Sequence, residues 1–181
     1  MAAEFMRTAA WLHVRRPGLQ FIVPAASGAL FESMRATMAG LGLPADLDLR
    51  IISGRSHDAL AAADTVLVAS GTATLEAALF HKPMVIAYRL AWLSYRIMRR
   101  MGYLPWVGLP NILCRDWVVP EFIQDAARAD RMGAALLAQL EDEPGRRAIG
   151  RRFAELGAQL RQGCARRAAE AVLSMRRGPG S

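Results

Sequence analysis

The chain has 181 residues, 53% of them hydrophobic, and a formal net charge of +7, which suits one folded domain with an appended segment and excludes a disordered chain. No window offers about 18 uninterrupted apolar residues, which argues against a membrane-spanning helix, and "MAAEFMRTAAWLHVRR" is acidic early and basic late, the reverse of a secretory leader. Cys114 and Cys164 are far apart, lack metal-ligand spacing and read as reduced thiols of a cytoplasmic protein.

Taken in order, residues 3–16 are predicted helical, with Phe5, Ala9 and Leu12 at helical spacing. "LQFIVPA" (19–25) is predicted as a short buried strand ended by proline, and 29–41 as a helix with Leu30, Met34 and Met38 recurring every four. "LRIISG" (49–54) reads as a strand stopped by glycine, and "SHDALAAAD" (56–64) as a short helix that Ser56 or Asp58 can cap. "TVLVAS" (65–70) is a strand, 72–81 a helix, "PMVIAY" (83–88) a strand and 90–102 a helix. "PWVGLPNIL" (105–113) reads as a strand running into a loop, and "VPEFIQ" (119–124) as the start of a helix. Residues 130–142, 146–162 and 164–177 look helical, and the last few residues, "RRGPGS", disordered.

Strands thus alternate with helices of about ten residues up to position 113, after which helices take over. Strands apolar throughout suit a parallel sheet covered on both faces. The expectation is an α/β, doubly wound, Rossmann-like domain over 1–125, a helical C-terminal extension over 126–177 and a disordered tail at 178–181.

The charge is uneven. Residues 1–145 carry 14 basic and 14 acidic side chains, whereas 146–181 carry nine arginines against Glu155 and Glu170. A tail with a surplus of seven is drawn to anionic surfaces, membrane or nucleic acid; equally, Lys82 is the only lysine, so a chain-wide arginine preference on a solvated helix face gives the same count. "LAWLSYRIMRRMGYL" (90–104) puts Leu90, Leu93, Ile97, Met101 and Leu104 on one helical face with Arg96, Arg99 and Arg100 elsewhere. That pattern fits an interfacial membrane helix or a core helix with a basic outer side.

In a doubly wound sheet, ligands bind beyond the carboxyl ends of the strands. "TVLVAS" ends at Ser70, which puts Gly71 and Thr72 in that crevice. Glycine lets backbone approach a ligand closely, the free N–H groups of the next helix make an anion site, and Ser70, Thr72 and Thr74 add hydroxyls, a set suited to a diphosphate. Glu76 lacks the ordinary local roles. Three residues before it is Ala73, so no hydroxyl cap completes a capping box, and its i±4 neighbours, Thr72 and Phe80, are uncharged. One turn below Thr72, its carboxylate suits a ribose diol; a solvated helix glutamate is the plain alternative.

Other positions are less distinctive. Lys82 reads as a solvated loop cation, and His13, His57 and His81 as scattered surface or satisfied histidines. Arg89 ends a strand and either neutralises phosphate or flanks the loop. Asn111, after Leu109-Pro110, either binds ligand or caps a turn.

Together, "AAADTVLVASGTATLEAALFHKPMVIAYRL" and "LPNILCRDWVVPEFIQ" resemble lipid-A-disaccharide synthases, in the order and spacing of SGTATLE, PMVIAYR, LPN and VPEFIQ, over residues 1–173. The resemblance implies a glycosyltransferase of the two-domain GT-B architecture, this chain being its C-terminal, nucleotide-holding half. It implies transfer of 2,3-diacylglucosamine from its UDP donor to 2,3-diacylglucosamine 1-phosphate, without metal or other cofactor, the leaving UDP being stabilised by helix dipole and side chains. It places Ser70, Gly71, Thr72, Glu76, Arg89, Asn111, Glu121 and Gln124 on the donor side, with Glu76 on the ribose and Asn111 foremost among the rest. Gly108 stands where the family usually has serine. A family member is about twice this length, so the acceptor domain with the general base, and the "PGSR"-type phosphate loop that normally precedes the first helix, are expected outside this chain, which alone is expected to be inactive. The expected setting is the inner face of the inner membrane of a Gram-negative bacterium, peripheral on anionic lipid, without nucleic acid, and as a candidate homo-oligomer. A stand-alone nucleotide-binding or membrane-surface module without catalysis, and another UDP-sugar GT-B enzyme, are the alternatives.

Overall fold

The computed structural model describes residues 1–69, 71–89, 105–161 and 172. The helices expected at 90–102 and 164–177, the amphipathic face of 90–104 and Ser70 lie outside the described residues, apart from the single residue Val172.

The elements run α1 (Ala2–Arg15), β1 (Phe21–Ala25), α2 (Gly28–Ala39), β2 (Leu49–Ser53), α3 (Ser56–Ala62), β3 (Val66–Ala69), α4 (Thr72–Leu79) and β4 (Met84–Tyr88). Then follow α5 (Leu109–Cys114), β5 (Glu121–Ile123), a 3-10 turn (Gln124–Ala126), α6 (Ala129–Glu141) and α7 (Glu143–Leu160). Every strand pair is parallel: β1 with β2, β3 with β4, and β4 with β5 in the register Ile86↔Glu121 to Tyr88↔Ile123. The chain is therefore an α/β fold of parallel strands wrapped by helices, as its alternating pattern predicts.

β4 shows why a strand without polar alternation belongs at the centre of such a sheet. Its residues from Met84 to Ala87 are all buried, on alternating faces. Met84 and Ile86 pack with Ala77 and Ala78 of α4 and with Phe153 and Leu156 of α7. Val85 and Ala87 pack with Leu12 of α1 and with Met132 and Leu136 of α6. The helices after residue 126 thus cover both faces of the sheet. Gly133 is what lets α6 approach α1: a Cβ there would collide with the Trp11 indole. Polar ties fix the same layer, because Gln139 donates to the Met84 carbonyl (2.9 Å) and takes the Thr65 hydroxyl (2.7 Å).

The strands form two ladders, β1-β2 and β3-β4-β5, rather than one. They share a core nonetheless, since Phe21 of β1 and Leu67 of β3 flank the cluster under α1 and α6. Phe21 N–H and Ala25 C=O both bond on the β2 side. Pro24, one residue out of that phase, faces the other edge, where its missing N–H breaks no ladder.

Two expected elements differ. Residues 105–113 are not a strand but lead into the six-residue helix α5, which has Pro110 in its first turn, where a missing N–H is harmless. Residues 119–124 do not start a helix: Glu121–Ile123 is the strand that extends the sheet beside β4, and a 3-10 turn follows it. Three residues are too few to show a period, and the hydrogen bonds that hold them come from β4.

Candidate donor-binding site

The carboxyl ends of β3, β4 and β5 lie side by side in a parallel sheet, and Gly71, Arg89 and Gln124 follow within two residues of them. At β3 the chain leaves Ala69 and turns through Gly71, with φ 139° and ψ −165°, a conformation open essentially to glycine alone. A Cβ there would meet no atom of the described residues beyond its chain neighbours within 4 Å. α4 starts at the next residue. Its Thr74 N–H and hydroxyl both bond the Gly71 carbonyl, at 3.1 and 2.7 Å. That spends the buried Thr74 hydroxyl on shaping the turn. The N–H groups of Thr72 and Ala73 take no acceptor among the described residues, and both residues are exposed. Two such amides at the positive end of a helix beside this glycine form a place for an anion.

Glu76 lies one turn further along α4 with its side chain 46% exposed. Its carboxylate faces neither bulk solvent alone nor the core: Oε2 is 3.8 Å from Nε2 of His57, the second residue of α3. The His57 ring also contacts Phe80, with centroids 5.4 Å apart. The histidine is nineteen positions upstream of Glu76, and no spacing rule in the sequence links the two.

Arg89 follows β4 and is half exposed. Its guanidinium donates to the Ala127 carbonyl (2.9 Å) and lies 3.9 Å from Glu4. Glu4 in turn accepts from the Ala129 N–H that opens α6 (2.9 Å). Arg89 is thus anchored from behind with part of its surface turned outward.

Asn111 and Glu121, ten residues apart in sequence, bond each other. Asn111 is fully buried. Its Nδ2 donates to the Val119 carbonyl and to Glu121 Oε1, both at 2.8 Å, and its Oδ1 accepts from Val118 N–H (2.9 Å) and Val119 N–H (3.0 Å). Glu121 also accepts the backbone N–H groups of Val107 (2.8 Å) and Gly108 (3.0 Å). Both amide hydrogens and two acceptor positions of Asn111 are occupied within the protein, so the pair acts on the 107–111 backbone. A side chain at Gly108 would press on the end of Ile86 and on the Glu121 carboxylate, which makes the glycine part of the same arrangement. Gln124 is half-buried and opens the 3-10 turn in a left-handed conformation, φ 54°.

Away from these strand ends, Lys82 is not a free loop cation: its Nζ donates to the Ala61 carbonyl near the C-terminal end of α3 (2.8 Å), where the helix dipole favours a positive charge. His13 holds the exposed Asp46 carboxyl below the usual carboxylate range by hydrogen bonding. Burial pushes the Cys114 thiol up, with Arg152 acting against it. No helix among the described residues is long and apolar enough to cross a membrane.

The family model for lipid-A-disaccharide synthetase matches residues 1–174. Among curated proteins, the chain is 48% identical to the lipid-A-disaccharide synthase of Thiobacillus denitrificans, over 94% of this chain and 45% of that protein. It is 48% identical to the enzyme of Burkholderia vietnamiensis (93% and 43%) and 46% identical to that of Albidiferax ferrireducens (98% and 46%). The chain therefore spans a little under half the length of these relatives.

Proposed function

The chain belongs to the lipid-A-disaccharide synthase family, and from that premise we propose that it is the part that holds the UDP-linked sugar donor. The observation that carries this reading is the β3–α4 turn: Gly71 at φ 139°, two amides behind it with no acceptor among the described residues, and a half-exposed carboxylate one turn along the same helix. In this reading the pyrophosphate lies against Gly71, Thr72 and the neighbouring Ser70. Glu76 accepts from the ribose hydroxyls, and Arg89 adds positive charge from the end of β4. Gln124 flanks the donor at the end of β5. Asn111 and Glu121 serve from beneath, fixing the backbone at 107–111. Helix dipole and amides stabilise the leaving UDP, because free N–H groups aimed at developing negative charge need no reorganisation.

The donor sugar is 2,3-diacylglucosamine and the acceptor 2,3-diacylglucosamine 1-phosphate. Residues 1–125 carry the nucleotide, and α6 and α7 brace the sheet. The base that deprotonates the acceptor hydroxyl comes from the part of the family's length that this chain does not span, so the chain alone binds UDP without turnover. The arginine surplus after residue 146 holds the protein on an anionic membrane face, and loss of vesicle binding with rising salt checks that.

Calorimetric titration tests the donor reading. UDP is expected to bind the wild-type chain and to bind Glu76→Ala at least tenfold more weakly, with ADP well below UDP. Equal binding of ADP and UDP points instead to a generic nucleotide module, and undiminished UDP binding by Glu76→Ala removes the ribose contact. Disaccharide formed by the chain alone overturns the assignment of the base.

A further inference from the structure

His57 is used by nothing above except its nearness to Glu76, and its placement is unusually determined for an exposed side chain. β2 ends in two successive left-handed residues, Gly54 (φ 62°) and Arg55 (φ 55°). The Gly54 N–H donates to the Ala25 carbonyl at the end of β1 (2.8 Å), which pins that turn to β1. The reversal starts α3 with His57 directed at α4, where it meets two residues on one stripe: the Glu76 carboxylate at 3.8 Å and, four residues on, the Phe80 ring. Nearby in sequence, Arg55 pairs with Asp58 (2.7 Å) and Lys82 donates to the Ala61 carbonyl.

Stability does not account for the pair. Its members are 70% and 46% exposed, and exposed ion pairs contribute little. What a ring held beside one carboxylate oxygen does is limit the orientations open to the carboxylate.

Building on the donor reading, we propose that His57 is a positioning residue of the ribose grip. Seated on Phe80, it draws Oε2 of Glu76 toward α3 and leaves Oε1 turned to the crevice for the sugar diol. The grip is then a device of two helices, closed only when the β2–α3 turn is in place, and its specificity is for a ribose carrying both hydroxyls. The 3.8 Å spacing is longer than a hydrogen bond, so the histidine acts by its placement, limiting where the carboxylate can turn.

The test is calorimetric binding of UDP and of 2'-deoxy-UDP to the wild type, His57→Ala, His57→Gln and Glu76→Ala, with thermal melting of each variant as a check on folding. The wild type is expected to prefer UDP. His57→Ala is expected to weaken UDP by about threefold to tenfold, the scale of one oriented polar contact, while 2'-deoxy-UDP changes by less than about twofold on the same scale. His57→Gln, which keeps an N–H near the same place, is expected to retain most of the preference. If Glu76→Ala erases the preference and His57→Ala leaves it whole, the role of His57 is overturned and the donor reading stands. If His57→Ala weakens both nucleotides equally, the positioning role is overturned too, since a general loss of shape does not discriminate a hydroxyl. If Glu76→Ala keeps the wild-type affinity and preference, or the wild type binds no UDP, the donor reading fails and this inference with it.

Discussion

Replacing Asn111 by alanine removes four hydrogen bonds at one stroke and leaves Val118 N–H, Val119 N–H and the Val119 carbonyl without their partner. Val119 is 2% exposed, so two of those groups lose their partner where water has little access. At about 1–3 kcal/mol for each buried group left unpaired, the expected loss is about 3–5 kcal/mol. Glu121 keeps the Val107 and Gly108 amides, so the loop is loosened rather than released.

Asn111→Asp separates packing from chemistry. It preserves shape and the acceptor oxygen but sets a second carboxyl where Nδ2 now donates to Glu121. Two carboxyls in contact cannot both ionise at ordinary cost, so the pair holds a proton to higher pH folded than unfolded. A folded pKa raised in this way gives a penalty that is small near the unfolded carboxyl value of about 4 and grows as pH rises above it. Urea unfolding at pH 5 and pH 7.5 reads both effects. Asn111→Asp should lose more stability at pH 7.5 than at pH 5, whereas the deficit of Asn111→Ala should stay nearly constant. A deficit under about 1 kcal/mol for Asn111→Ala, below one unsatisfied buried group, or a pH-independent Asn111→Asp, would refute the buried-brace account.

Gly71→Ala puts a side chain at φ 139° without a clash against the described residues, so it should cost about 1–3 kcal/mol from backbone strain and weaken UDP by more than the folding deficit explains, as melting and titration together measure. Phe153→Ala empties a fully buried position between α4, α7 and the sheet and should cost about 3–5 kcal/mol in urea unfolding, whereas a loss near zero would mean α7 is not part of the core. Burial raises the Cys114 pKa, so in a Cys164→Ser background the folded chain should react with a thiol reagent at pH 8 more slowly than the chain in urea. The gap should narrow as pH rises, because thiolate accumulates only above the raised value.

The alternation of strands and helices was legible wherever an element was long and its burial one-sided or complete. β4 is apolar at every position because helices cover both of its faces, and that can be read from "PMVIAY" alone. α5 and β5 were misread because each is short and held from a distance: α5 by an asparagine bonded to residues seven to ten positions ahead, β5 by its ladder to β4. The turn at Gly71 was legible, since strand, glycine and helix follow in immediate succession. Asn111 and Glu121 were both singled out, but as separate ligands; nothing in a ten-residue separation tells that one bonds the other. His57 reads as a surface histidine in the sequence because its meeting with Glu76 depends on how the β2–α3 turn is pinned to β1.

Amide hydrogen exchange with and without saturating UDP tests most directly where the nucleotide goes. Slowed exchange is expected at Thr72 and Ala73, whose amides take no acceptor among the described residues, with a weaker effect over the Gly54–His57 turn. Protection confined to other elements, or exchange at Thr72 and Ala73 unchanged while UDP is bound, would contradict the assignment of the β3–α4 turn as the diphosphate site.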